Sequence, residues 1–282
     1  MVVGAVFSPV LPIFETPITY AATDIANDAS LSTGLISYWE LEEASGTRVD
    51  SHGPNDLTDN NTVTTVTGVQ GEAANFTRAN AETLSISDAS QTDLDINSDF
   101  SFVAWFNPTT RAHDNGIISK YSSSANKRAL ALYIKGAGQL GSNPSNALQL
   151  DISRDGTGSN RSLFESSAEY ITSGDIGNWL FVTATFDLSA RTAVLYKNGS
   201  VVSHVTLNTG TLTSIQNNNL PFRLGDGNQV SDSDKASAAL DEVGVWSRIL
   251  TPTEVTALYN SGSGIPYDAG GGGAARRVMI IN

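Results

Sequence analysis

Short apolar runs that alternate with polar residues cover most of the chain from residue 35 onward. β-branched and aromatic residues dominate these runs, and clusters of Gly, Asn, Asp and Ser separate them. Alternation with a period of two is typical of a strand with one buried face, and the clusters are typical of turns. The pattern predicts many antiparallel strands in a jelly-roll β-sandwich. The runs lie at residues 83–86, 100–107, 116–120, 129–134, 147–153, 161–165, 179–187, 192–197, 222–224 and 239–246.

Two local patterns give finer expectations about the strands. Alternation in the run that begins at residue 35 places Leu35, Trp39 and Leu41 on one side of a strand. Asn198 and Gly199 stand between two alternating runs. This dipeptide is the strongest short signal for a hairpin, because both residues tolerate a positive φ. We therefore expect the strands on either side of it to pair.

One short helix is predicted near the end of the sandwich. Thr251 is a hydroxyl cap, Pro252 takes the first helical position, and Glu254 is placed to return a hydrogen bond to the cap. The apolar stripe of this segment includes Leu258, and Gly262 supplies a left-handed stop. We expect the helix to pack on the edge of the sandwich.

The chain divides into one large domain and two flanking segments. The strands and the helix span residues 35–262, residues 1–34 form an extended N-terminal arm, and residues 263–282 form a glycine tether followed by an apolar tail. A single β-sandwich can reach this length. The apolar stretch at residues 2–14 contains Pro9 and Pro12 and is too short to cross a bilayer, so no membrane span is predicted.

Composition narrows the classes of partner. The formal net charge is -13 and the sequence pI is about 4.5. This charge repels phosphate backbones, so no nucleic-acid partner is expected. The chain has no cysteine, which excludes disulfides, thiolate metal sites and a cysteine nucleophile. Apolar residues make up 40% of the chain, which is enough to build a core.

Six segments follow one another in an informative order. They are WELEEASGT at residues 39–47, GPNDL at 53–57, FSFVAWF at 100–106, GNWLFV at 177–182, VLYKNG at 194–199 and LDEVGVWSRIL at 240–250. Together they resemble a laminin G-like domain of the concanavalin A-like lectin and glucanase superfamily, over roughly residues 35–262. The resemblance implies an all-β jelly roll of two antiparallel sheets, which agrees with the strand pattern. It fixes no ligand.

The same resemblance implies a structural Ca²⁺ site. In related domains an aspartate and an asparagine of the early loop meet an aspartate of the closing strand, which here gives Asp50, Asn55 and Asp241 as ligands. The carbonyls of His52 and Leu57 would complete the oxygen shell that Ca²⁺ prefers. Such an ion would hold the two ends of the sandwich together. The alternative is that Asp50 and Asn55 cap turns through their own backbone.

A second acidic loop follows the strand run at residues 222–224. It carries Asp226, Asp232 and Asp234. These carboxylates could form a second Ca²⁺ site, and the alternative, which we favour, is a solvated loop.

Catalytic chemistry has little support in the sequence. Glu40, Glu42 and Glu43 are the nearest approach to a carboxylate cluster. Glycosidases of this superfamily carry an acidic array on a central strand, but the matching run at residues 100–107 has no carboxylate. The three histidines are scattered and no serine elbow accompanies them. We expect no catalytic residue, and we expect Glu40 and Glu42 to lie on a solvated strand face.

Sugar-binding sites use exposed aromatic rings with amides or carboxylates on loops. Tyr121 and Tyr170 are candidates for such rings, together with the Asn-rich loops. The four tryptophans lie within strand patterns, where a core position is expected; they are Trp39, Trp105, Trp179 and Trp246. No ligand-binding residue is assigned.

The sequence thus favours a non-catalytic, Ca²⁺-stabilised binding or display module for glycans or proteins, extracellular on a cell surface or a virion. A second hypothesis is a structural subunit of a virion or extracellular filament. That subunit would self-assemble through the apolar segments at residues 2–14 and 278–281. A glycoside hydrolase is the weakest alternative.

Overall fold

A computed structural model of the chain describes residues 24–124, 126–136, 145–208, 210–229 and 234–268. Sixteen strands and two α-helices lie within these ranges. They are α1 Ala29–Ser32, β1 Leu35–Trp39, β2 Thr58–Asn60, β3 Thr64–Thr67, β4 Glu72–Phe76, β5 Thr83–Ile86, β6 Phe100–Pro108, β7 Asn115–Ser122, β8 Lys127–Ile134, β9 Leu148–Gly156, β10 Arg161–Ser166, β11 Leu180–Asp187, β12 Thr192–Lys197, β13 Ser200–Val202, β14 His204–Asn208, β15 Phe222–Leu224, β16 Ala238–Trp246 and α2 Pro252–Tyr259.

The strands form two antiparallel sheets, which confirms the predicted sandwich. The first sheet has the order β13-β12-β11-β6-β16-β4-β3, and β1 also pairs with β16. The second sheet has the order β14-β10-β9-β8-β7-β15-β5-β2. The two central strands of the first sheet, β6 and β16, are therefore supplied by segments about 140 residues apart in the chain. No helix in the described part of the chain is long and apolar enough to cross a membrane.

The main core lies between the two sheets, and β6 shows how it is built. Phe100, Phe102 and Phe106 point from this strand into the main core. Val103 and Trp105, at intervening positions, point to the opposite side of the first sheet. Both faces of β6 are therefore buried, which explains its nearly continuous apolar sequence.

A second apolar cluster, the outer cluster, covers the outer face of the first sheet. Helices α1 and α2 contribute to it, and so do residues 263–268. The Ile25 N–H donates to the Pro266 carbonyl at 3.1 Å, so the two ends of the described chain meet there. The cluster consists of Ile25, Leu31, Leu35, Tyr38, Val103, Trp105, Phe181, Tyr196, Trp246, Leu250, Val255, Leu258, Ile265 and Tyr267.

The flanking segments contribute to this cluster at their inner ends. Residues 24–34 and 263–268 belong to the ranges assigned to the arm and to the tether and tail, and both carry buried side chains. The apolar segments at residues 2–14 and 278–281 and the glycines at 270–273 lie outside the described residues.

The predicted helix and hairpin are both confirmed. Thr251 accepts from the Glu254 N–H, and the Glu254 side chain accepts from the Thr251 N–H, so the capping box is complete. The helix ends two residues earlier than expected, at Asn260, which adopts the left-handed conformation. Asn198 and Gly199 have φ of 52° and 74° and connect β12 to β13.

One predicted strand face is wrong. Trp39 and Leu41 enter the main core, but Leu35 joins the outer cluster with Tyr38. The pairing of β1 with β16 shifts its register between Leu35 and Ser37. This bulge adds a residue and reverses the alternation, so Leu35 lies on the opposite side of the sheet.

Candidate ligand groove and predicted metal residues

Asp50 organises the early loop, which comprises residues 50–57, through backbone hydrogen bonds. Its Oδ1 accepts from the N–H groups of Tyr38 at 2.9 Å, His52 at 3.1 Å and Gly53 at 2.9 Å. Its Oδ2 accepts from the Asn55 N–H at 3.1 Å. A carboxylate with this many N–H donors fixes a tight turn, which is the role described by the turn-capping alternative.

Asn55 connects the early loop to the segment at residues 91–99. Its Oδ1 accepts from the Thr92 N–H at 2.7 Å, and its Nδ2 donates to the Thr92 carbonyl at 2.9 Å. The same Nδ2 donates to Ser37 Oγ at 2.8 Å. The Asn55 carbonyl accepts from the Trp39 indole at 2.8 Å. Asn55 is fully buried, so this two-point contact holds the two loops in a fixed relation.

The two residues predicted to offer carbonyls have other partners. The Leu57 carbonyl accepts from the Arg48 N–H at 2.8 Å, and the Leu57 N–H donates to the Arg48 carbonyl at the same distance. His52 Nδ1 lies 3.0 Å from the Tyr267 hydroxyl, which links the early loop to the outer cluster.

Asp241 is held by a different loop. Its Oδ2 accepts from the N–H groups of Val69 and Gln70, at 2.6 and 3.2 Å. The structure thus brings Asp50, His52 and Asn55 together and places Asp241 against the turn between β3 and β4. Among the described residues, no three His, Cys, Asp or Glu side chains are arranged to hold a metal ion. The predicted Ca²⁺ site stays a prediction.

A groove of about 840 Å³ lies at one end of the sandwich. The early loop forms one wall and residues 91–99, between β5 and β6, form the other, so Asn55 fixes its width. A second cavity of about 520 Å³ shares Ser98 and Asp99 with the groove and extends it toward Arg191. The lining residues of the groove are mainly polar; they include His52, Gln91, Asp93, Asp95, Asn97 and Ser98.

Two of the groove's carboxylates already have partners within the protein. Asp95 forms an ion pair with the buried ammonium of Lys120, and Asp99 accepts from the Leu188 N–H at 2.9 Å. Asp93, Asn97 and Ser98 are exposed. A carboxylate, an amide and a hydroxyl in one groove can accept from and donate to the hydroxyl groups of a sugar.

The expected aromatic sugar platforms are wrong. Tyr121 is 7% exposed and Tyr170 is 2% exposed. The Tyr170 hydroxyl donates to the Tyr196 carbonyl at 2.7 Å, so this ring is part of the core. Three of the four tryptophans are buried as predicted, and Trp179 is partly buried against the outer cluster.

The structure reveals two carboxylates on the second sheet that the sequence analysis did not weigh. Asp151 on β9 and Glu165 on β10 are buried. Asp151 lies 2.9 Å from an Arg161 guanidinium nitrogen, and Glu165 lies 3.6 Å from Lys135 Nζ. Burial raises the pKa of Asp151 and the Arg161 charge opposes that effect. Each carboxylate therefore has a basic partner, which is an ion-pair arrangement.

The second acidic loop is partly described. Asp226 is fully buried and lies 2.9 Å from Arg223 and 3.2 Å from Lys235. Asp232 lies outside the described residues. Asp226 thus belongs to a buried ion-pair network with two cations, and the expected solvated loop is wrong at this position.

Comparison with known proteins identifies the family of the fold. A family model described as the concanavalin A-like lectin/glucanases superfamily matches residues 78–256. No curated protein sequence matches significantly.

Solved structures with the same fold include two toxin domains and a carbohydrate-active enzyme domain. The binding domain of Paraclostridial Mosquitocidal Protein 1 aligns with TM-score 0.58 and 17% identity, over 81% of this chain and 52% of that one. Botulinum neurotoxin type C, described as interacting with two ganglioside molecules, aligns with TM-score 0.59 and 15% identity, over 83% and 52%. Domain 4 of a GH43 extracellular arabinanase from Geobacillus stearothermophilus, in complex with arabinotriose, aligns with TM-score 0.52 and 18% identity, over 79% and 96%. The chain spans about half the length of the two toxin chains.

Proposed function

Because the chain belongs to the concanavalin A-like lectin/glucanases superfamily, we propose that it is a non-catalytic, extracellular module that binds glycans. Its place would be a cell surface or a virion, and its partner a glycan or a glycan-bearing surface protein. The proposed binding site is the groove between the early loop and residues 91–99.

One observation carries this proposal. The groove has a volume of about 840 Å³, its walls are two loops of the sandwich, and buried Asn55 links those loops through hydrogen bonds to Thr92. A preformed polar groove loses little ordering entropy on binding, which favours recognition of a flexible, hydroxyl-rich ligand. The relatives described with arabinotriose and with gangliosides support a glycan as the ligand.

A glycan array with the full chain tests the proposal, followed by calorimetry on any glycan retained. The variant Asp93→Ala removes an exposed carboxylate from the groove and should weaken binding about tenfold, the effect of one lost hydrogen bond of about 1.4 kcal/mol. Asp56→Ala, outside the groove, would disturb the early loop and is a poor control. Glu72→Ala, which changes an exposed side chain at the start of β4 outside both cavities, is the better control and should bind as the parent does. Equal affinity of the parent and Asp93→Ala for the glycan would contradict the groove as the binding site.

The absence of catalysis is part of the proposal. The buried carboxylates Asp151 and Glu165 have basic partners, and Asp95 has one in the groove. Hydrolysis of a glycosidic bond requires one carboxyl group free to donate a proton and a second free to attack or to activate water. We expect no turnover of common polysaccharides. Reducing-sugar release that Asp151→Asn or Asp93→Asn abolished would contradict this.

A second candidate function is assembly with other copies of the chain, and strand β14 favours it. β14 is an edge strand of the second sheet and presents two exposed apolar side chains, Val205 and Leu207. Residues 200–210 contain no Asp, Glu, Lys or Arg, whereas edge strands are normally protected by such charges. We propose that an apolar terminal segment of a second copy adds to this edge. Light scattering on the full chain should show concentration-dependent association that Val205→Lys removes; a constant monomer mass would exclude it.

A further inference from the structure

Arg191 differs from every other basic residue that the structure describes. It is exposed, and its side chain forms no ion pair or hydrogen bond with the described part of the chain. Each other lysine and arginine in the described ranges has a partner within the protein. The chain has 29 acidic and 16 basic residues. An arginine that pairs with none of these carboxylates therefore needs an explanation.

Arg191 ends the turn between β11 and β12 and lines the second cavity, of about 520 Å³. Asp187 shapes this turn, because its Oδ1 accepts from the Ala190 N–H at 2.7 Å and from Ser189 Oγ at 2.8 Å. Arg191 itself has a φ of 58°, a backbone conformation that glycine adopts more easily. The backbone of the turn therefore does not favour arginine at this position, and the explanation lies with what the side chain faces.

The second cavity offers donors for an anion. Ser98, Ser189 and Thr213 line it with hydroxyl groups, and all three residues are exposed. Asp99 is the one acidic residue among the lining residues; it accepts from the Leu188 N–H and forms no ion pair with Arg191. A guanidinium presents two parallel N–H donors that match the two oxygens of a carboxylate. The donor set is therefore suited to a carboxylate group.

The second cavity continues the groove, because Ser98 and Asp99 line both. The hydrogen bond from Leu188 to Asp99, at 2.9 Å, ties the β11–β12 turn to the groove wall at residues 91–99. The two cavities differ in charge. No lysine or arginine lines the groove, where Asp93 is an exposed carboxylate, whereas Arg191 lines the second cavity. An acidic sugar is therefore repelled at the Asp93 end and attracted at the Arg191 end.

We propose that the second cavity is a subsite for the carboxylate of an acidic sugar, and that Arg191 binds it. This inference rests on the proposed glycan function and adds the class of ligand: an oligosaccharide with neutral sugars in the groove and an acidic sugar next to Arg191. Because Arg191 is exposed, water screens its charge. The pair therefore selects between glycans and sets their direction, while the groove supplies most of the affinity.

Calorimetry on the full chain with matched oligosaccharides tests the subsite. The first pair is an oligosaccharide capped by glucuronic acid and the same one capped by glucose; the second is a sialylated oligosaccharide and its desialylated form. The variants are Arg191→Gln for the subsite, Asp93→Ala for the groove and Arg78→Gln as the control for charge. Arg78 precedes β5, whereas the groove wall follows β5, and it lines neither cavity.

We expect the parent to bind the acidic member of at least one pair about fivefold more tightly than the neutral member, and added salt should reduce this preference. Arg191→Gln should bind both members equally and keep the affinity for the neutral member within a factor of about two. Its melting temperature should equal that of the parent, because no internal contact is removed. Arg78→Gln should keep the preference. Asp93→Ala should weaken both members by the same factor.

Two failures can be told apart. If the parent binds both members of each pair equally, or if Arg191→Gln keeps the preference, the subsite is wrong and the glycan groove stands. If the parent binds no member of either pair, the proposed glycan function is wrong and the subsite with it.

Discussion

Replacing Asn55 by alanine tests the part of the structure that connects the fold to the groove. The side chain makes three hydrogen bonds, two to Thr92 and one to Ser37, at 2.7 to 2.9 Å. Alanine removes all three, including both bonds to the Thr92 backbone. At about 1 kcal/mol for each bond, we expect a loss of about 3 kcal/mol in the free energy of unfolding. In a domain of this size that corresponds to about 6 to 12 °C in Tm.

The assay is thermal and urea unfolding of the full chain, with hydrogen exchange at residue 92 as a local readout. Asn178→Ala is the matched control, because its exposed side chain donates only to neighbouring turn carbonyls, and we expect its effect to stay within about 0.5 kcal/mol. The loss in Asn55→Ala should be the same with chelator and with Ca²⁺, since Asn55 acts as a clamp. A loss that appears only with Ca²⁺ would make Asn55 a metal ligand after all. A change below about 0.5 kcal/mol would refute the clamp.

Three further outcomes follow from single contacts. Thr251→Ala removes the helix cap and should cost about 1 kcal/mol in urea unfolding. Burial opposes ionisation of Glu254, but hydrogen bonds from Arg248 and Thr251 outweigh it and hold the pKa below 4.5. Glu254→Gln should therefore lower Tm at pH 7, and the difference should vanish as the pH falls through that lowered pKa; a difference that persists at about pH 2 would contradict this. Tyr170→Phe leaves the buried Tyr196 carbonyl without its donor and should cost about 1 to 3 kcal/mol by the same unfolding assay; no change would mean that water replaces the hydroxyl.

The regular parts of the fold could be predicted from the sequence because their signals are local. Alternation located the strands, the Asn198-Gly199 dipeptide located a hairpin, and the cap residues located α2. Bulges escaped prediction. An extra residue in a strand leaves no pattern of its own, so Leu35 was assigned to the wrong face and the register shift of β16 between Asp241 and Gly244 was not predicted. Both irregularities depend on pairing with a partner strand, which the sequence does not display.

The groove could not be predicted for a related reason. Asn55 and Thr92 are 37 residues apart in the chain, and nothing in either segment indicates the other. The early loop was predicted to bind Ca²⁺, with turn capping as the alternative. The Asp50 carboxylate and the Asn55 amide oxygen accept from backbone N–H groups that only the fold brings to them. Tyr121 and Tyr170 lie next to polar segments and were therefore expected at the surface. Their burial depends on how neighbouring strands and loops cover them.

The hydrogen bond between Ile25 and Pro266 has a consequence for anything attached to this domain. It places the entry and the exit of the sandwich side by side, and Asn27 adds a second bond to the Asp268 carbonyl at 3.0 Å. A domain with adjacent ends can be inserted into a surface loop of another protein without distorting either. Tyr267 in this junction contacts His52, which lines the groove. Any polypeptide joined at residue 24 or 268 therefore starts near the groove proposed to bind glycans.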